Sequence, residues 1–321
     1  MGMVAEVNYN ENIDYLDVDV AYFLGLLIAR GTITEESGVK RIVIEFPFRN
    51  LYAEGISKNF IQRDQIIISL QDPIKRINEL TDVQIVQTIS DNSVRLTIET
   101  LKNTIFWRNV KALIRGKASY YEFLIPREIF EADEKIKIEF MRGYADVAGY
   151  ARASNRDQRG RHRVYLDILN PNWHLPIQIC HLLQDHLGVP TQTITYGHPN
   201  LRDPNGKDYK NGKRGSWARE HQYKTYCEYF LKIGFYMKHK QEILEELAEY
   251  NIRNFGNVEP KFCSPPKKIK TIKRRFRHPE VKSDNLPAEI RGKQYVSYWQ
   301  ICADLGCQRY KKWLESQSKL E

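Results

Sequence analysis

Met141-Arg-Gly-Tyr-Ala-Asp-Val-Ala-Gly149 and, 118 residues earlier, Phe23-Leu-Gly-Leu-Leu-Ile-Ala-Arg-Gly31 share one skeleton: a glycine, five residues, then a second glycine. Each sits at the end of an apolar helical stretch that runs into a strand-forming segment. Small residues at Gly25 and Gly143 let two helices pack with their backbones close together. Self-similarity at this spacing points to an internal duplication.

Working outward from the first motif, Val20–Ala29 reads as a short buried helix. Asp19 is placed as its N-cap and Gly31 as its C′ glycine. Residues 39–46 are β-branched and aromatic, a strand, and Ile66–Leu70 reads as another. Pro73–Leu80 reads as a helix, Val83–Thr88 and Ser93–Thr100 as a strand pair around Asp91-Asn92, and Thr104–Ile114 as a helix. A second series follows. It has a helix from Phe130 to Ala148 closed by Gly149, a strand over Arg163–Asn170, and an amphipathic helix over Leu175–Leu187 stopping at Gly188. Then come a strand over Thr191–Tyr196, a polar loop over Pro199–Gly215, a strand over Trp217–Thr225, a turn at Gly234, and a surface helix over Lys238–Asn251. The order helix–strands–helix is thus stated twice. The expected fold is α+β, in two pseudo-symmetric halves, 1–125 and 126–255, with a basic C-terminal extension over 256–321.

The second motif resembles the LAGLIDADG motif of homing endonucleases. The surrounding series is similar to that family too: Ile125-Pro126-Arg-Glu-Ile129 and Ile138-Glu-Phe140 upstream, then Leu166-Asp-Ile-Leu-Asn170, Ile177-Gln-Ile-Cys-His-Leu-Leu183, Leu187-Gly-Val189 and Phe230-Leu-Lys-Ile-Gly-Phe235 with Lys238 and Lys240. The resemblance covers roughly residues 15–255 and is strongest in the second repeat. It implies two αββαββα repeats joined along the motif helices, each laying an antiparallel sheet into the major groove of double-stranded DNA. It also implies a divalent metal, held over the scissile phosphates by the last acid of each motif.

That acid precedes the closing glycine, and here those positions are Arg30 and Ala148. Neither is a ligand for Mg²⁺, which takes oxygen donors. Asp146 lies two residues before Ala148, about 200° away around a helix, and cannot stand in for it. The expectation is a DNA-binding chain without a catalytic centre, metal or cofactor. The alternative is a Mg²⁺-dependent endonuclease drawing on acids elsewhere, with Glu35, Glu36 and Asp146 as candidates; Glu35 and Glu36 read as surface acids in a turn past Gly31. For Arg30 two readings stand: a phosphate clamp, or an ion pair with an acid such as Asp146.

The net charge of +9, from 49 basic and 40 acidic residues, suits a polyanion partner without naming one. Arg152, Arg156, Arg159, Arg161 and Arg163 follow the second motif, where the resemblance starts the DNA-facing sheet. Their alternative is a solvated loop. Lys207, Lys210, Lys213 and Arg214 sit in the polar loop, within reach of flanking backbone. Lys267, Lys268, Lys270, Lys273, Arg274, Arg275 and Arg277 make seven basic residues in eleven with no acid. That run is either a phosphate-tracking arm or an ordinary linker.

Five scattered cysteines do not make a disulfide framework. Cys263, His278, Cys302 and Cys307 are weighed as a zinc site, but their spacings match no known zinc pattern. Residues 1–12 lack a basic and apolar leader, and the longest apolar run, Val20–Ala29, is too short to span a bilayer. The chain is expected to be soluble and cytoplasmic, and monomeric with an internal pseudo-two-fold axis.

Overall fold

The computed structural model describes residues 16–81, 83, 85–101, 104–153, 160–169, 174–190, 193–196, 221–256, 289–290 and 293–294. Its centre is helix α1 (Val18–Arg30) packed on helix α7 (Glu134–Ala148). α1 begins where the Asp17 carboxylate accepts the backbone N–H groups of Asp19 and Val20, at 2.9 and 2.8 Å. Asp17, not Asp19, is therefore the N-cap. Every residue from Val20 to Arg30 is buried, because the helix is covered on all sides. The seam with α7 is a backbone contact. A Cβ on Gly25 would lie 2.1 Å from the Phe140 carbonyl oxygen, and one on Gly143 would lie 2.0 Å from that of Tyr22.

Both motif helices run directly into a strand. Gly31 and Gly149 are extended, with φ near −98° and −103°. Neither is the left-handed C′ glycine expected at Gly31. Glycine is required there by crowding instead: a Cβ would lie 2.6 Å from the Leu27 carbonyl oxygen and 2.7 Å from that of Ala145, respectively.

The strands that follow build two sheets of the same design. In the first, β1 (Gly31–Glu36), β2 (Val39–Pro47), β5 (Ile85–Ile89) and β6 (Ser93–Thr100) lie in the antiparallel order β1-β2-β6-β5. In the second, β7 (Gly149–Arg152), β8 (Arg163–Ile168), β9 (Thr193–Tyr196) and β10 (His221–Tyr226) lie in the order β7-β8-β10-β9. The order is the same, and each motif glycine opens its hairpin: Gly31 faces Ile44 and Gly149 faces Leu166. The duplicated αββαββα layout expected from the sequence is the one observed. One asymmetry marks it. The short strands β3 (Ala53–Glu54) and β4 (Asn59–Phe60), from the first repeat, extend the second sheet, with Glu54 parallel to Arg152.

The remaining helices flank these layers: α2 (Phe48–Leu51), α3 (Arg63–Ser69), α4 (Gln71–Thr81), α5 (Ile105–Leu113), α6 (Arg127–Glu131), α8 (His174–His181), α9 (Cys227–Phe230) and α10 (Lys238–Phe255). Three local expectations change. Ile66–Leu70 is helical, within and just after α3. Only Ile66 and Leu70, four apart, are buried, while Ile68 is 70% exposed, the burial of a helix face rather than a strand. The helix expected over Phe130–Ala148 breaks at Ala132-Asp133, where the chain is extended. Glu35 and Glu36 lie on β1 rather than in a turn. The turn follows at Ser37-Gly38, both with positive φ, as a tight hairpin demands.

In the C-terminal extension, Glu289–Ile290 and Lys293–Gln294 pair as two short strands. Cys263, His278, Cys302 and Cys307 lie outside the described residues. Cys180 and Cys227 are buried in the core. Among the described residues, no helix is long and apolar enough to cross a membrane.

Candidate functional site

The resemblance places the working centre at the C-terminal tips of α1 and α7, so the side chains there decide what the fold can do. Arg30 and Ala148 do sit together. Asn50, carried in by α2, bridges them: its amide accepts from the Arg30 guanidinium at 3.4 Å and donates to the Ala148 carbonyl at 3.2 Å. Asn50 also donates to Asp167 at 2.9 Å. Asp167, on β8, is only 6% exposed. Its other oxygen accepts from the Gln222 amide of β10 at 2.9 Å. Arg49 approaches it to 3.9 Å, and the Tyr144 hydroxyl donates to its backbone carbonyl at 3.2 Å. The Gln222 amide nitrogen also donates to the Tyr150 hydroxyl at 3.1 Å. The tips thus hold a connected chain of amides and guanidinium around one carboxylate.

Asp146 faces away from this cluster. It is fully buried and accepts from the Tyr22 hydroxyl at 2.7 Å and from the backbone of Tyr236 and Met237 at 3.3 and 3.4 Å. Burial pushes its carboxyl up, and nearby Lys240 opposes that rise. Tyr22 is driven up by the same burial and by the Asp146 charge. The Lys240 ammonium closes the end of α7, donating to the carbonyls of Asp146 and Gly149 at 2.7 Å each. Burial pushes Lys240 down and Asp146 holds it up. This buried group fixes the backbone that carries Ala148.

Glu35 is bound to Lys111 at 2.9 Å and Lys40 at 3.4 Å, and those bonds hold its carboxyl below the usual range. A strand rise of about 3.3 Å per residue carries Glu35 and Glu36 roughly 13–17 Å beyond Gly31. Among the described residues, no three His, Cys, Asp or Glu side chains gather into a metal cage.

The outward faces of the two sheets differ in character. On the first, Arg41 is paired with Glu99 at 2.5 Å and Arg95 with Glu45 at 3.8 Å. On the second, basic groups alternate with tyrosines. The Tyr150 and Tyr165 rings stack at 5.2 Å, 12° from parallel, with Arg152 at 5.4 Å over Tyr150 and Lys224 at 5.6 Å over Tyr165. Arg163 lies 5.1 Å from the Tyr226 ring. Arg152 also pairs with Glu54 at 3.5 Å. Arg161 is 3.8 Å above Tyr226 and bonded to Glu228, with its side chain 11% exposed.

Arg156, Arg159, Lys207, Lys210, Lys213, Arg214, Lys267, Lys268, Lys270, Lys273, Arg274, Arg275 and Arg277 lie outside the described residues. The basic excess is concentrated there. Residues 257–321 carry 15 basic and 7 acidic residues, and residues 197–220 carry 6 and 3. Residues 16–196 together with 221–256 are close to neutral, at 28 against 27.

Sequence reasoning missed Asn50, Arg49, Gln222 and the site role of Asp167.

The solved structures this chain resembles are LAGLIDADG proteins. One is full-length DUF199/WhiA from Thermatoga maritima, at 12% identity, covering 83% of this chain and 67% of that one, with a TM-score of 0.42. Another is the homing endonuclease I-DmoI in complex with DNA and Mn, at 15% identity, covering 76% and 99%, TM-score 0.35. A third is the LAGLIDADG meganuclease I-AabMI bound to uncleaved DNA, at 10% identity, covering 72% and 90%, TM-score 0.37. No protein-family model matches the sequence, and no curated protein matches it.

Proposed function

We propose that this chain is a double-stranded DNA-binding protein of the LAGLIDADG type that holds DNA without cutting it. The observation that carries the reading is the composition of the helix tips. A two-metal hydrolytic centre needs carboxylates aimed at one phosphodiester. Here the tips offer Arg30, Ala148, Asn50 and Asp167, whose two oxygens already accept amide protons, while the nearby Glu45 accepts from Ser93 and faces Arg95. Arg49 and Arg30 add positive charge to the same spot. A hard divalent cation wants several free oxygen donors, so this donor set does not fit one.

The same cations suit a phosphate. Arg30, held by Asn50, clamps the DNA backbone, and an outward row of Arg152, Arg163 and Lys224 runs along the second sheet in the major groove. Phosphate contacts of this kind set register, while base edges set sequence preference. The polar loop carrying Lys207, Lys210, Lys213 and Arg214 and the arm from Lys267 to Arg277 supply most of the sequence-independent attraction, since that is where the excess charge resides. Arg156 and Arg159 belong to the same contact surface. The protein works as a cytoplasmic monomer, its halves meeting near residue 125 and its extension starting near 256.

The test is a selection of bound duplexes from a random pool, followed by a mobility shift at rising salt and incubation with Mg²⁺ or Mn²⁺. Retention that falls with salt and leaves the duplex intact is expected. Cleavage abolished by Asp167→Asn would defeat the non-cutting reading. Absence of salt-sensitive retention would defeat the DNA reading.

A further inference from the structure

Far from the helix tips, α8 does not end as an α-helix. It passes into a π turn over Leu182–His186, closed by a bond from the Leu187 N–H to the Leu182 carbonyl at 3.1 Å, five residues back. Such turns are rare and recur at functional positions. What this one changes is the angle between two histidines. On an α-helix, residues five apart point about 140° away from each other and cannot share a ligand. The π turn swings His186 round beside His181.

The two imidazoles then meet through particular atoms. Their Nε2 atoms are 3.2 Å apart, while the ring centroids are 4.7 Å apart, so the rings converge through Nε2. The other nitrogen of His181, Nδ1, is 2.7 Å from the Asp185 carboxylate. An ionised carboxylate only accepts, so Nδ1 carries the proton, and the neutral tautomer that a metal requires has its Nε2 lone pair toward His186. Phe130 backs both rings, at 5.4 and 5.6 Å between centroids, which limits their rotation. His181 is buried, His186 half-buried and Asp185 exposed.

We propose that His181 and His186 bind a divalent transition-metal ion of the imidazole-preferring class, such as Zn²⁺, Ni²⁺ or Co²⁺, between their Nε2 atoms, with Asp185 orienting His181. Two nitrogens at about 2.0–2.1 Å from a tetrahedral ion lie about 3.3 Å apart, close to the separation present. A histidine ligand whose second nitrogen is held by a carboxylate is the usual arrangement around such ions. Among the described residues the site supplies two protein ligands, short of a three-ligand cage. It lies apart from the Asp167 cluster and does not depend on the DNA reading.

The experiment uses the full-length, untagged chain. Zn²⁺ is titrated calorimetrically and Co²⁺ by visible absorbance, for the wild type and for His186→Ala, whose metal-free melting temperature is checked first. Any zinc bound elsewhere on the chain is common to both proteins, so the difference between them isolates this site. The wild type is expected to bind one more equivalent than His186→Ala and to gain more thermal stability from metal. Asp185→Asn is expected to bind about 10–100-fold more weakly. Equal stoichiometry and affinity in the wild type and His186→Ala would overturn the proposal. Wild-type affinity in Asp185→Asn would remove the role given to Asp185.

Discussion

Replacing Gly25 by alanine adds a single methyl group, yet the structure makes it one of the most damaging small changes available. The new Cβ would stand 2.1 Å from the Phe140 oxygen and 2.6 Å from the Tyr144 nitrogen, both backbone atoms of the facing helix. No rotamer relieves a backbone clash, so α1 and α7 must separate by about 1 Å to restore ordinary contact. A gap of 0.5–1 Å forfeits about a quarter to a half of each dispersion well along the seam. Overpacking of this kind costs about 1–3 kcal/mol, and the lost contacts add to it. Against that, alanine gains about 0.8–1 kcal/mol of helix propensity over glycine. The net expectation is about 2–4 kcal/mol of destabilisation, which at about 2–4 °C per kcal/mol lowers Tm by roughly 5–15 °C. Gly143→Ala should act alike through the Tyr22 carbonyl. Once one methyl has parted the helices the second has room, so the double variant should cost less than the sum. Calorimetric or fluorescence melts of the four proteins decide the matter. A Gly25→Ala protein that melts within about 2 °C of the wild type would refute the close-packed seam.

Lys240→Met leaves the carbonyls of Asp146 and Gly149 without their buried donor and should cost about 2–4 kcal/mol in urea unfolding; a neutral result would show that the ammonium is not what closes α7. His239 is bound to the Leu51 carbonyl and the Ser69 hydroxyl, each at 2.7 Å, and burial pushes it down to about 4. The unfolded chain takes up that proton near pH 6.5 and the folded one only near 4. Stability from this group is therefore full above pH 6.5 and lost as pH falls from 6.5 to 4, by about 3 kcal/mol. Wild type should lose correspondingly more than His239→Gln over that range, and parallel losses would contradict it. Changing the seven basic residues between Lys267 and Arg277 to glutamine should flatten the dependence of log affinity on log salt by up to about 6, at about 0.9 per phosphate; an unchanged slope would remove this run from the contact.

How far the sequence could be read depended on which level of structure held the information. The paired helices and the strand pair around Asp91-Asn92 were legible because glycine spacing and period-two alternation record packing locally. Ser93–Thr100 emerges with the very bounds expected. Ile66–Leu70 was misread because three adjacent isoleucines look like a strand, and only the neighbouring helix tells that Ile68 faces solvent. Arg30 and Ala148 were placed correctly at the tips, since the motif itself defines them. Their surroundings were not readable. Asn50 and Asp167 reach the tips from α2 and β8, and which polar groups meet there is set by how hairpins fold back. Nor could composition say where positive charge would go: a net +9 suited a polyanion partner, yet the two-repeat body is almost neutral and the excess belongs to the loop and the extension.

The strand β3 has a bearing on ancestry and engineering alike. Glu54 pairs with Arg152, the Ala153 N–H donates to the Glu54 carbonyl at 3.0 Å, and Lys58 reaches Glu242 on α10 at 3.1 Å. Residues of one half are thus woven into the other. A gene split near residue 125 would yield a C-terminal product with a bare sheet edge and an N-terminal product with a stranded ribbon. Neither fragment is a ready-made homodimer subunit; to restore the sheet edge the two polypeptides would have to bring β3 back beside β7.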